Sequence, residues 1–131
     1  MPYTPDLFWL TLTILVTALM WVPYILNRIR EMGLLSAVKN PRPDGPPEAN
    51  WAYRAECAHR NAVENLILFA PLVIIVTMTG AATAATATAC LVYFIARVAH
   101  WAIYVAGIPF LRTPAFAVGW AVQIYLISVL L

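Results

Sequence analysis

The run LFWLTLTILVTALMWVPYIL, Leu7 to Leu26, carries no charged residue and decides what kind of protein this is. A membrane-crossing helix needs about 20 mostly apolar residues, each adding roughly 1.5 Å across a hydrocarbon core about 30 Å thick. Trp9 and Trp21 stand towards the two ends of the run, where indole rings sit between lipid and water. Met-Pro-Tyr-Thr-Pro-Asp precedes it in place of a basic segment, and no small-x-small cleavage site follows, so it reads as a retained first span rather than a leader. The whole chain agrees, with 63% of its 131 residues hydrophobic and 11% charged, against about 25% charged in a soluble domain. At a mean hydropathy of +0.78, most of these side chains have no water-free surroundings except lipid.

Three further spans follow. The second starts polar near Trp51, runs through Arg54, His59, Asn61 and Glu64, and turns apolar only from Leu66 to Met78, so its first half must face something other than lipid. Gly80 ends it. An Ala/Thr-rich stretch from Ala81 leads into a third helix ending near Gly107, its small residues suited to close helix packing. Gly107-Ile108-Pro109 and Thr113-Pro114 mark a turn before a short last span from Ala115 to Leu131. The expectation is an all-α integral membrane protein, a bundle of four transmembrane helices at about 5–30, 50–79, 81–106 and 114–131 in one domain covering residues 1–131. A Pro-rich loop at about 36–49, with Pro41, Pro43, Pro46 and Pro47, joins the first two.

Other classes fall away. A net charge of +2 and a pI near 8.7 are too mild for nucleic acid. Two cysteines, Cys57 and Cys90, cannot make a disulfide scaffold, and no repeat is present. Arg28, Arg30, Lys39 and Arg42 lie in the first loop, Arg54 and Arg60 just beyond it and Arg112 in the third, while the second has none. The positive-inside rule therefore places the first and third loops in the cytoplasm and both termini on the opposite side. Lipid headgroups are a second use for the first-loop cations.

Polar groups inside spans are expensive and mark function or packing. At about 100° per residue, Arg54, Cys57, Asn61, Glu64 and Asn65 share one side of the second helix, and Tyr93, Arg97, His100 and Tyr104 one side of the third. Glu64 and Arg97 come at similar depth, Arg97 roughly 15 Å from Gly107. They are expected to neutralise each other or to hold a polar ligand together; a structural ion pair is the plain alternative. His59 points away and suits helix packing or a subunit contact. His100 lacks partners at metal spacing, so no metal site is expected. Cys57 beside arginines has the setting for a lowered thiol pKa, though a small buried residue is the simpler reading.

The run Arg54-Ala-Glu-Cys-Ala-His-Arg-Asn-Ala-Val-Glu-Asn65, followed by Leu-Ile-Leu-Phe-Ala-Pro-Leu, resembles the signature of the MAPEG family, the membrane-associated proteins in eicosanoid and glutathione metabolism. Ala-Arg97-Val-Ala-His100-Trp-Ala-Ile-Tyr104 with Gly-Ile-Pro-Phe-Leu-Arg112 resembles its second block. The resemblance implies a homotrimer in a bacterial inner membrane, with glutathione as co-substrate bound between subunits in the cytoplasmic half and a lipophilic small molecule as second substrate. It also implies that Arg54, Asn61, Glu64, Arg97 and Tyr104 hold the tripeptide, that Arg28 or Arg30 contributes, and that Arg112 activates the thiol. Several arginines and one glutamate match the two carboxylates and one ammonium of glutathione. Cys57 stands where glutathione-binding members usually have an arginine. Conjugation of lipophilic electrophiles or reduction of lipid hydroperoxides is thus the first reading, and a non-catalytic trimeric scaffold whose polar stripe is structural or binds lipid is the second. A small transporter comes third.

Overall fold

The computed structural model describes residues 2–131, which form helices joined by short connections with no strand among them. In chain order these are α1 Pro5–Leu19, α2 Trp21–Met32, α3 Leu34–Ala37, α4 Asn50–Met78, α5 Ala84–Ala106 and α6 Arg112–Leu130. The segment Pro5–Met32 and the helices α4, α5 and α6 are each long and apolar enough to cross a bilayer, which makes the chain an integral membrane protein built on four spanning helices. α2, α4, α5 and α6 bring Arg28, Arg54 and Arg112 to the connections at one end of the bundle, termed here the basic end.

Each boundary has a local cause. Thr4 caps α1 by accepting from the Leu7 N–H, and Pro5 opens the helix where its missing N–H is harmless. The first span, read from sequence as unbroken over 5–30, is interrupted by a turn at Met20. Pro23 is the reason: it has no N–H for the Leu19 carbonyl and its ring crowds that oxygen. The third span begins at Ala84 rather than at 81. Thr83 and Thr86 cap each other reciprocally, so part of the Ala/Thr run is a helix signal and not packing surface. The last helix begins at Arg112, two residues before Pro114, because proline is tolerated in a first turn. Arg112 is therefore a helix residue and not a loop residue.

α5 packs against α1, α4 and α6, and α2 lies on α4. Leu10, Phe69, Val73, Cys90, Tyr93 and Leu126 close the middle of the bundle. The Phe69 and Tyr93 rings stack at 3.7 Å between centroids. Towards the basic end the core narrows: Ala52, Ala55, Ala58 and Ala62 of α4 are buried at three- and four-residue spacing, a stripe without bulk that lets neighbouring helices approach closely. Ala58→Leu should overpack this seam and cost about 1–3 kcal/mol. Its thermal unfolding in detergent should move well below wild type while that of the exposed Val63→Leu does not; equal midpoints for the two variants would contradict the packing. Ile67, Leu68, Ile95 and Trp120 are exposed on the outer surface, as lipid-facing side chains are.

Gly33, at φ +81°, turns the chain out of α2 into the one-turn helix α3 at the start of the Pro-rich loop. The far end of the loop is tied back where the Ala49 N–H donates to Glu31 Oε1 at 3.2 Å. Glu48 lies between Glu31 and Glu56, and partial burial with these neighbouring carboxyls pushes it up to about 7. A raised carboxyl favours the packed loop below the unfolded value near 4.5, and this contribution is lost as pH rises through about 7. In delipidated protein, exchange of the Ala49 amide should therefore accelerate between about pH 4.5 and 7 beyond its intrinsic trend and follow that trend again above it. Glu48→Gln should abolish the excess; an unchanged excess would remove Glu48 from the account.

Candidate functional site

The polar stripes of α4 and α5 meet at the basic end. Arg97 is 4% exposed, and its Nη2 donates to Asn61 Oδ1 at 2.6 Å. Asn65 Nδ2 donates to the Asn61 carbonyl at 2.8 Å and to Asn61 Oδ1 at 3.3 Å. Gln123 Nε2 of α6 donates to the Asn65 carbonyl at 3.2 Å. One network thus joins α4, α5 and α6 within the bundle. Arg97 Nε and His100 Nδ1 beside it are buried without a partner, so the arrangement has hydrogen-bonding capacity left for a ligand or water.

The expected Glu64–Arg97 pair is not made within the chain. Glu64 is exposed, and the one ion pair among the described residues is Arg60 with Glu56 at 3.7 Å. The cause is helical phase: Glu64 follows Asn61 by three residues, about 60° further round, which leaves Asn61 facing α5 and Glu64 facing outward. Arg97 is left as a buried cation held by a neutral amide, and Glu64 as a carboxyl on the outer face.

Above the network two cavities adjoin, sharing Tyr104, Arg112 and Thr113. The inner one, of about 300 Å³, is lined also by Asn61, His100 and Phe116. The outer one, of about 510 Å³, reaches Tyr53, Arg54, Gly107 and Phe110. Both lie in the size range of small-molecule sites. The Arg112 guanidinium stands 4.4 Å over the Tyr104 ring, a cation–π contact that fixes it at the junction. Arg54 Nε donates to the Val105 carbonyl at 3.1 Å at the end of α5. Gly107 is needed twice there: its φ of +73° ends α5 in the left-handed region, and a Cβ would fall 2.9 Å from Arg54 Cζ. Phe110, at φ +70°, is a bulky residue held in the same region and marks local strain beside Arg112.

Among the candidate residues, then, Arg54, Asn61, Tyr104 and Arg112 line one double cavity, with Arg97 behind Asn61. Glu64 lies outside it. Arg28 lines a different recess under the Pro-rich loop, and Arg30 is exposed at the end of α2. Cys57 is half-buried and lines neither cavity. His59 bonds the Tyr24 hydroxyl at 2.8 Å and so couples α4 to α2, the packing role its direction implied.

A model of the MAPEG family matches residues 7–131. The chain belongs to the MAPEG family. No curated protein and no solved structure gives a significant match. Membership makes it a membrane protein of a family associated with glutathione and eicosanoid metabolism. As a MAPEG protein it draws its cavity residues from both sequence blocks that carry the likeness, α4 giving Arg54 and Asn61, the end of α5 and the start of α6 giving Tyr104 and Arg112. Sequence reading missed Gln123, Thr113 and Phe116, and set His100 aside as a mere non-ligand of metal. Gln123 had a usable signal, an amide in an otherwise apolar span; Thr113 and Phe116 had none, since only the fold brings them to Tyr104.

Proposed function

We propose that this protein is a glutathione-dependent membrane enzyme that conjugates the tripeptide to lipophilic electrophiles or uses it to reduce lipid hydroperoxides. The observation that carries the reading is the double cavity in which Arg54 and Arg112, with Arg97 behind Asn61, converge with no carboxylate among the lining residues. Glutathione supplies two carboxylates for such cations, and its ammonium needs the one acid the cavity lacks. Glu64, outward on the next turn, would supply that acid to a site closed by a neighbouring copy, and the exposed Arg30 would reach such a site from across the interface. A homotrimer with its sites between subunits in the cytoplasmic half follows from this reading, as does a bacterial inner-membrane setting with both termini on the far side.

Arg112 takes the activating role. Its guanidinium and the N-terminal end of α6, where backbone N–H groups point outward, both favour an anion at the junction of the two cavities. Glutathione thiol loses its proton there, and the thiolate attacks the electrophile, forming the S–C bond as the leaving group departs with its electron pair. In the peroxide reaction the thiolate attacks one peroxide oxygen, the O–O bond breaks and the lipid leaves as its alcohol, and a second glutathione thiol displaces water from the resulting sulfenic acid to form the disulfide. The test is titration of purified protein with millimolar glutathione. A saturating thiolate absorbance band and a rise in thermal stability are expected; absence of both would favour the second reading, a trimeric scaffold whose Arg97 network is structural.

A further inference from the structure

Beneath the Pro-rich loop lie two recesses apart from the double cavity, which they meet only at Tyr53. One, of about 730 Å³, is lined by Arg28, Glu31, Arg42, Glu48 and Tyr53 among others. The other, of about 700 Å³, shares Arg28, Met32 and Arg42 with it and adds Lys39. Arg28 and Arg42 line both recesses, Lys39 only the second, and Glu31 and Glu48 only the first, so the cations bridge the two while the carboxyls lie to one side. Arg28 Nε is buried without a partner. Beside these recesses Leu34, Leu35 and Val38 are 59%, 80% and 71% exposed, three large apolar side chains on and just after a one-turn helix that leaves the end of a membrane span. Such side chains in water are unfavourable, whereas at a bilayer surface they bury in the acyl boundary.

We propose that this loop is a binding site for one phospholipid with a zwitterionic phosphate–ammonium headgroup: phosphate against Arg28, Lys39 and Arg42, ammonium between Glu31 and Glu48, and the upper acyl chain against Leu34, Leu35 and Val38. Guanidinium and ammonium groups are suited to phosphate. A primary ammonium, unlike a trimethylated one, can donate hydrogen bonds to both carboxyls. It would also offset the burial of Glu48 and relieve its repulsion with Glu56 and Glu31, which together raise it. An anionic headgroup without an ammonium meets the cations and leaves those carboxyls uncompensated.

The probes are phosphatidylethanolamine, phosphatidylcholine and phosphatidylglycerol added to delipidated full-length protein, with retention read by native mass spectrometry. Phosphatidylethanolamine should be retained in preference to the other two. Lys39→Gln/Arg42→Gln, both on an exposed loop, should weaken its retention by roughly tenfold or more. Glu48→Gln should shift preference towards phosphatidylglycerol. Bound phosphatidylethanolamine should also suppress the pH-dependent exchange at Ala49. Equal retention of all three lipids, insensitivity to the double variant, equally tight binding of free phosphoethanolamine, or displacement of the lipid by millimolar glutathione would each overturn the assignment. None of these readouts depends on the protein being catalytic.

Discussion

Arg112→Ala is expected to lose the glutathione thiolate while keeping most of the glutathione affinity. The guanidinium sits over the Tyr104 ring at the first residue of α6, at the junction of the two cavities, so what it adds is positive potential at one point rather than a wide binding surface. Removing one such preorganised group from a developing anion costs about 10²–10³ in turnover, or roughly 3–4 kcal/mol. The carboxylates of the tripeptide keep Arg54 and the Arg97 network. Stopped-flow absorbance of the thiolate and calorimetric affinity separate the two effects. Arg112→Lys should restore part of the signal, because it keeps the charge and loses the planar stacking on Tyr104. An undiminished thiolate band in Arg112→Ala would move the activating role elsewhere, His100 being the nearest remaining candidate in the inner cavity.

Arg97→Leu should separate binding from stability in the opposite sense. A buried cation held by a neutral amide carries a desolvation penalty that no carboxylate of the chain offsets. Replacing it with leucine leaves Asn61 Oδ1 with its bond from Asn65, so the folded state keeps a satisfied acceptor. The unfolding midpoint of ligand-free protein should stay level or rise. Glutathione affinity should fall by about 10–100-fold, the size of one charge-assisted hydrogen bond of roughly 1.5–3 kcal/mol. A lowered midpoint with unchanged affinity would assign Arg97 to architecture alone and weaken the glutathione reading at its centre.

The spans were legible because lipid imposes a length and a composition that no soluble fold shares. Their ends were less so. The break at Met20 needed attention to Pro23 and its effect one turn back, and the start of α5 needed the Thr83–Thr86 cap to be distinguished from small-residue packing. Which residues share a helix face was readable from 100° per residue, and that arithmetic brought Asn61, Arg97 and Tyr104 together. It failed for Glu64, because a face about 60° wide separates a side chain turned into the bundle from one turned out of it, and periodicity alone does not say where the neighbouring helix lies. The loop recess was invisible for a further reason: its walls come from the end of α2, the prolines and the start of α4, and only the folded loop brings them together.

The unequal lengths of the helices have a kinetic consequence. α4 has 29 residues, about 43 Å, and α6 has 19, about 28 Å, slightly less than the hydrocarbon core of about 30 Å. A helix this short starts close to the plane where hydrocarbon gives way to water, and Arg112 is its first residue. On the proposed chemistry, a water-soluble peptide and a membrane-dissolved electrophile would meet at that plane, each arriving from its own phase. The electrophile's effective concentration is then its mole fraction in the bilayer, set by its partition coefficient. Its apparent KM should rise in proportion as inert lipid is added at fixed total substrate, while that for glutathione stays constant.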